Sequence, residues 1–415
     1  MSINILDRNL EAKANRKLEN YPALLILGAR QAGKTFLSKK IRSNWDYFDL
    51  ENNNDFDRIT ADPNLFFKQN PTDIIIDEAQ TYPEIFNILR GVIDSNREQN
   101  NRFIITGSSS PELLKHSINS LAGRLGIIEL DPLKSNEQYS KPMSDIYDLF
   151  HSANTTAEDF LSLKPNITLN DCMQTFFLGG YPELQKKKNW IEITEWYDDY
   201  FRSYLQHDIA RLFPNIDTVK FRRLINTLAF ASGNIINKKN IATALGVSET
   251  TIKDYLDIAQ GLFIWRKLPA YGDNSTKTLV KMPKGFLCDS GLLHSRWNIN
   301  FSNIENLYSH PEIGRFFECY AIEEIIRGIK ASIIPKADFS FYRTKVGAEI
   351  DLVIEGHFGT IPIEIKYSSH TPAKNLKTLS KFIDDKKLNY GIVVNQGNEP
   401  YLLTDKIVQI PINFF

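Results

Sequence analysis

The chain predicts an α/β protein: a parallel nucleotide-binding sheet, then a helical region, then a second α/β domain. Three observations predict it. The apolar run Ala23-Leu24-Leu25-Ile26-Leu27 leads into Gly28-Ala29-Arg30-Gln31-Ala32-Gly33-Lys34-Thr35, which fits GxxxxGK[ST] at every fixed position. A second apolar run, Ile74-Ile75-Ile76, ends in the adjacent acids Asp77 and Glu78, as suits a strand buried on both faces of a parallel sheet. Towards the C-terminus, strand-like alternation in Glu349–Ile354 and Pro362–Lys366 replaces the helical periodicity of the middle of the chain.

The glycine loop comes first. Backbone N–H groups must close around phosphate oxygens, which glycines permit, and the helix opening at Thr35 and Phe36 adds positive potential at its N-terminus. Gly28 to Phe36 are therefore the expected contacts of a nucleoside triphosphate. Lys34 is expected to reach the β- and γ-phosphates, and Thr35 to place its hydroxyl on the Mg²⁺ ion that bridges them.

The remaining strands supply the other groups that hydrolysis needs. Asp77 is the expected partner for the Mg²⁺ shell and Glu78 the group that orients and activates water. Arg102-Phe103-Ile104-Ile105-Thr106 is a further strand, ending in Gly107-Ser108-Ser109-Ser110. Thr106 and Ser108 are candidate polar sensors of the γ-phosphate; the serines equally suit a helix cap before Pro111. Arg124, in a loop before the strand-like Gly126–Leu130, is placed beside the nucleotide edge, where it would stabilise charge on the transferred phosphoryl group in cis or from a neighbouring subunit.

The GARQAGKT loop, the IIIDEAQ and FIITGSSS strands and the SLAGR loop together resemble the AAA-like P-loop ATPases of bacteria and archaea that carry a C-terminal domain of unknown function. The resemblance continues through Phe177-Leu178-Gly179-Gly180-Tyr181-Pro182-Glu183, Tyr204–Ile209, Gly285–Leu292 and Phe316-Phe317-Glu318. It implies a sheet of the RecA and AAA branch, with the Asp77 strand not adjacent to the loop strand. It also implies ATP as the nucleotide and Arg124 as an arginine finger, hence a homo-oligomer if the finger acts in trans.

Composition bounds the rest. With 415 residues, 42% of them hydrophobic, two or three domains are expected. No apolar stretch approaches the roughly 18 residues of a membrane span, and the polar start lacks a signal-peptide pattern, so a cytoplasmic protein is expected. Cys172, Cys288 and Cys319 are scattered without metal-ligand spacing. Formal net charge is −1, so contact with DNA requires a local basic patch.

The Ser-, Asn-, Asp- and Pro-rich stretch from Lys134 to Lys164 marks a boundary, giving an ATPase domain over 1–135 and a linker and helical region over 136–235. An aromatic stripe, Trp196, Tyr197, Tyr200, Phe201 and Tyr204, recurs there at helical spacing and is expected to be core. Over 236–295, Asn240–Leu256 reads as helix, glycine turn at Gly246 and Ser-capped helix. The continuation through Phe263–Leu268 and the loop at Tyr271–Ser275 resembles a wing. As a winged helix it would set Thr250, Thr251 and Lys253 against DNA, with Lys277, Lys281 and Lys284 on phosphates. Glu249 at the start of the second helix opposes that contact, and the alternative is a packing or interaction module.

The last domain, 296–415, carries Asp351 on one strand and Glu364 and Lys366 on one face of the next. Two carboxylates and a lysine so placed suit a Mg²⁺ site acting on a phosphodiester, with Glu318 a further ligand. The same residues also suit an exposed strand face. The spacing resembles the PD-(D/E)XK nuclease superfamily, which implies a restriction-endonuclease-like fold and a DNA nuclease, or a related domain that grips DNA without cutting it.

Overall fold

The computed structural model describes residues 6–110, 121–204, 209–272, 282–372 and 376–415. The chain forms two compact units, residues 1–133 with 261–264, and residues 134–260 with 265–415. Among the described residues, no helix is long and apolar enough to cross a membrane.

The first unit is a five-stranded parallel sheet. Its strands are β1 (Ala23–Gly28), β2 (Asp46–Asp49), β3 (Ile74–Asp77), β4 (Phe103–Gly107) and β5 (Leu125–Leu130), in the order β2-β3-β4-β1-β5. As the resemblance implies, β4 separates β3 from β1. Every residue of β1, β3 and β4 is buried, which explains why these strands read as continuous apolar runs rather than as alternation. Helices α1 (Glu11–Asn20) and α2 (Lys34–Ile41) precede α3 (Ile85–Asp94), and alternate residues Leu25, Leu27, Ile74, Ile76, Phe103 and Ile105 join a core with Ile85, Phe86, Leu89 and Ile93 of α3. Gly28 ends β1 where a Cβ would lie 2.0 Å from the Leu130 carbonyl oxygen. Only glycine lets the loop leave the sheet there.

The second unit includes the helices α4 (Leu169–Leu178), α5 (Trp190–Ser203) and α6 (Thr218–Ala231). The aromatic stripe is core: Tyr197, Tyr200, Phe201 and Tyr204 are buried, and Trp196 stacks on Tyr200 with centroids 5.1 Å apart. Next come β6 (Asn234–Ile235), α7 (Lys238–Leu245), α8 (Glu249–Gly261), β7 (Trp265–Leu268) and β8 (Lys284–Leu287). Gly246 adopts φ 63° between α7 and α8, and the Ser248 hydroxyl accepts the Thr251 N–H at 3.0 Å. β8 lies between β6 and β7, antiparallel to both.

After α9 (Ser290–Arg296), the long helix α10 (Ile313–Ala331) leads into a six-stranded mixed sheet. Its strands β9 (Ala337–Arg343), β10 (Glu349–Gly356) and β11 (Gly359–Ile365) are antiparallel neighbours. Helix α11 (Lys377–Lys386) then crosses to β12 (Gly391–Asn395), parallel to β11. β13 (Tyr401–Thr404) and β14 (Ile407–Pro411) complete the order β13-β14-β12-β11-β10-β9.

Candidate functional site

The C-terminal ends of β1, β3 and β4 bring one set of side chains together. Thr35 Oγ1 donates to Asp77 Oδ2 at 2.6 Å, and Thr106 Oγ1 donates to the other Asp77 oxygen. Lys34 Nζ donates to Ser108 Oγ at 2.9 Å, and Ser108 in turn reaches both Glu78 oxygens at 3.1 and 3.0 Å. The same ammonium bonds the Gly28 and Ala29 carbonyls of its own loop, each at 3.1 Å. Burial pulls the Lys34 pKa below the ordinary lysine value, although Glu78 and Asp77 oppose that. Two loop residues are in left-handed backbone, Gln31 at φ 61° and Gly33 at φ 97°, and so is Glu78 at φ 53°. A non-glycine residue held there stores strain of a kind common at functional sites.

Two further residues complete this network. Tyr47, on β2, donates its hydroxyl to Asp77 Oδ2 at 2.7 Å. Gln80 donates to Glu78 and accepts the Ser108 N–H at 3.2 Å. Tyr47 lies in no motif, and only the strand order, with β2 beside β3, reveals it; Gln80 ends the IIIDEAQ run, which by itself gives it no role. Arg8 is likewise distant in sequence, yet its guanidinium is buried and donates to the Ala32 carbonyl of the loop and the Asp131 carbonyl after β5, each at 2.7 Å. The donor set of the Thr35 hydroxyl and the Asp77 carboxylate offers hard oxygen ligands side by side, as Mg²⁺ prefers. These residues fit the ion.

Arg124 is not at this edge. It directly precedes β5, which runs parallel to β1, and its carbonyl accepts the Ala23 N–H at the start of β1. At the rise of a strand, that is about 20 Å from the loop at the far end of β1. Its guanidinium pairs with Asp94, with Nε at 2.7 Å and Nη2 at 2.9 Å from the two carboxylate oxygens. The expected position beside the nucleotide of the same chain is therefore corrected. The Arg124 loop enters the strand that follows it at the edge opposite the phosphate loop.

The C-terminal sheet brings a second set together. The Leu352–Ile363 pairing of β10 and β11 sets Asp351 across from Glu364, and Asp351 Oδ2 accepts the Ile365 N–H at 2.8 Å. Lys366 Nζ lies 2.5 Å from Glu364 Oε1. Glu318, on α10, joins Asp351 and Glu349, with one oxygen from each of the three within 4.8 Å of the others. Glu349 carries no distinguishing signal in the sequence. Burial first, and the Asp351 carboxylate second, raise both Glu318 and Glu364 above the ordinary glutamate value.

Lys284, expected on a wing against DNA phosphates, is instead buried in this cluster. Its ammonium lies 2.7 Å from Glu318 Oε1 and 3.9 Å from Asp351 Oδ1, and it bonds Glu349. Burial alone would lower its pKa, but Glu318, Asp351 and Glu349 hold it above the ordinary lysine range. A divalent cation does not fit beside an ammonium that already fills the cluster, so Mg²⁺ at Glu318 and Asp351 is not supported by this arrangement. Of the other expected nucleic-acid contacts, Thr250 and Lys253 are exposed on α8 and Thr251 is half-buried. Lys277 and Lys281 lie outside the described residues.

The strand order, the glycine loop and the acid pair define a P-loop ATPase of the AAA type. The chain belongs to the same family as an uncharacterized protein of Mycobacterium tuberculosis, to which it is 30% identical over 406 residues, covering 97% of this chain and 83% of the relative. An uncharacterized protein of Mycobacterium bovis matches with the same identity and coverage. The sequence profile of an AAA domain matches residues 20–139, and profiles of two domains of unknown function match residues 169–303 and 313–415. Similar solved structures include a Walker-type ATPase of Pyrococcus abyssi, with TM-score 0.45, 14% identity, and 71% of this chain and 97% of that one covered. They also include the Thermotoga maritima RuvB Holliday junction branch migration motor, with TM-score 0.28, 16% identity, and coverage of 63% and 89%.

Proposed function

We propose that this protein is a Mg²⁺-dependent ATP hydrolase whose nucleotide state governs how its C-terminal region engages DNA, without that region cutting it. The observation that carries the enzymatic part is the continuous chain from Lys34 through Ser108 to Glu78, set beside the Thr35–Asp77 pair. When bound, Mg²⁺ would offset charge on the β- and γ-phosphates. Thr35 and Asp77 would hold the ion, and the hydrogen bonds from Thr106 and Tyr47 fix the Asp77 carboxylate in place. Lys34 exchanges its own loop's carbonyls for phosphate oxygens. Glu78, released from Ser108 and Gln80, takes the proton of the attacking water. Phosphate release should be measurable in wild type and absent in Lys34→Ala; equal rates in both would sink this assignment.

Three observations support the DNA part. The order α6, β6, α7, α8, β7, β8, with a three-stranded antiparallel sheet, supports the winged-helix reading. The order helix, three antiparallel strands, helix, parallel strand in α10 to β12 supports the reading of a restriction-endonuclease-like core. A groove of about 520 Å³ in the second unit is lined by Arg202, Arg222, Arg223 and Arg296, with Asp198 the single acid. This groove suits phosphates better than α8 does, because Glu249, Asp254 and Asp257 are exposed on that helix and outnumber Lys253. Arg222→Glu with Arg223→Glu should lower DNA affinity and flatten its salt dependence by about 0.9 log units for each phosphate no longer neutralised. Hydrolysis indifferent to DNA, with no mobility shift at low salt, would instead favour a protein partner.

The absence of cutting is proposed from Lys284. Plasmid and Mg²⁺ incubated with wild type and Asp351→Ala should show equal or absent nicking. Nicking lost in Asp351→Ala would overturn the non-cleaving reading.

A further inference from the structure

The carboxylate pocket of the C-terminal sheet is neutralised from within the chain. We propose that the Lys284 ammonium is the resident cation of the Glu318, Glu349 and Asp351 cluster, and that a divalent metal ion enters the cluster only when Lys284 is removed from it. The proposal deepens the non-cleaving reading above by assigning its cause, and it rests on that reading only in taking a divalent ion as the competitor.

The backbone places this ammonium. Lys284 opens β8, which is hydrogen-bonded to β6 on one side and β7 on the other, so the side chain starts from a fixed point. Its stem is buried, and Nζ lies 5.6 Å from the centroid of the Phe341 ring, a fourth favourable contact for a cation. An ammonium has three N–H donors, and three acids surround this one: Glu318 and Glu349 in direct contact, Asp351 at 3.9 Å.

Several further acceptors of the pocket are also engaged. Arg343 Nη1 takes the second Glu349 oxygen at 2.9 Å. Lys366 takes Glu364 Oε1, and the Ile365 N–H takes Asp351 Oδ2. Glu364 Oε2 is buried without a hydrogen-bond partner among the described residues. Mg²⁺ needs several oxygens at about 2.0–2.1 Å, and the three clustered carboxylates could supply them only around the point that the ammonium holds. Bringing the three acids inward to that distance would require the volume that Nζ occupies.

The test uses Mn²⁺ as the probe, titrated into the nucleotide-free full chain and followed by electron paramagnetic resonance of the free ion. Wild type and Asp351→Asn should titrate alike, because neither places an ion in the cluster. Lys284→Met should take up an additional Mn²⁺ at least about tenfold more tightly than wild type, and Asp351→Asn in the same chain should abolish it. Binding by wild type that Asp351→Asn removes would overturn the proposal, as would a folded Lys284→Met that gains no ion. The wild-type comparison needs no Lys284 variant, and Lys284→Gln repeats the gain arm should Lys284→Met not fold. Nicking is not the readout, so a failure of the non-cleaving reading is scored separately.

Discussion

Glu78 combines two roles that pull on one residue: its carboxylate is bonded by Ser108 and Gln80, and its backbone is held at φ 53°. Glu78→Gln removes the proton acceptor while leaving Lys34, Thr35 and Asp77 in place. ATP binding should persist while kcat falls about 10²–10⁴-fold, which equilibrium nucleotide binding and phosphate release measure together. A tenfold or greater loss of nucleotide affinity would show that Glu78 shapes the loop instead. These acids are legible because they end an apolar strand after a glycine loop. The roles of Tyr47 and Gln80 are not, because a tyrosine on a short strand and a glutamine two residues past an acid pair look the same whether or not a carboxylate lies beside them.

His294 gives a second prediction at this scale. Its ring is fully buried, with Nδ1 3.0 Å from the Phe177 carbonyl oxygen and Nε2 without a partner among the described residues. Because a carbonyl only accepts, Nδ1 carries the proton of the neutral ring. Burial lowers its pKa from 6.5 to about 4. Between these values the unfolded chain binds the proton and the folded one does not, so stability rises with pH across that window and is lost as pH falls through it. The loss amounts to up to about 3 kcal/mol. His294→Phe should therefore be less stable than wild type at pH 7.5, with the gap narrowing or reversing at pH 4.5 in thermal unfolding. A gap independent of pH would exclude the histidine.

At the scale of elements, Asp289 explains why two separated glycine-rich stretches behave as landmarks. Its buried carboxylate caps α9 through the Leu292 N–H at 2.8 Å, and also accepts the Gly180 N–H at 2.7 Å and the Tyr197 hydroxyl at 3.1 Å. It ties the turn after α4 to α5 and α9. Asp289→Ala leaves three donors to find other partners and should cost about 2–4 kcal/mol in denaturant unfolding; a loss below half a kcal/mol would contradict that role.

Elements are also where sequence reading fails. Apolar runs locate β1, β3 and β4, but not the direction of β5 beside β1, which decides the sheet edge at which the Arg124 loop lies. Lys284 reads as basic surface because a strand of four residues gives too little pattern to separate a solvated face from a buried one. That β8 is the middle strand, and so is covered on both edges, appears only in the pairing.

At the scale of the whole molecule, Arg124 lies at the sheet edge away from its own nucleotide loop, so the catalytic role proposed for it is toward a neighbouring copy. Such a role requires release of the Asp94 pair. Mixing Lys34→Ala with Arg124→Ala protein should recover hydrolysis that neither shows alone. No recovery, with unchanged stability in Asp94→Ala, would leave Arg124 outside catalysis.

The Arg8 contacts make the chain's first turn part of the nucleotide machinery. Because one guanidinium holds both the loop at Ala32 and the end of β5 at Asp131, a shortened protein that starts at α1 would keep every recognisable motif yet grip the nucleotide less firmly. Losses of activity on trimming that segment, or on joining a bulky tag ahead of it, should appear as a raised KM for ATP.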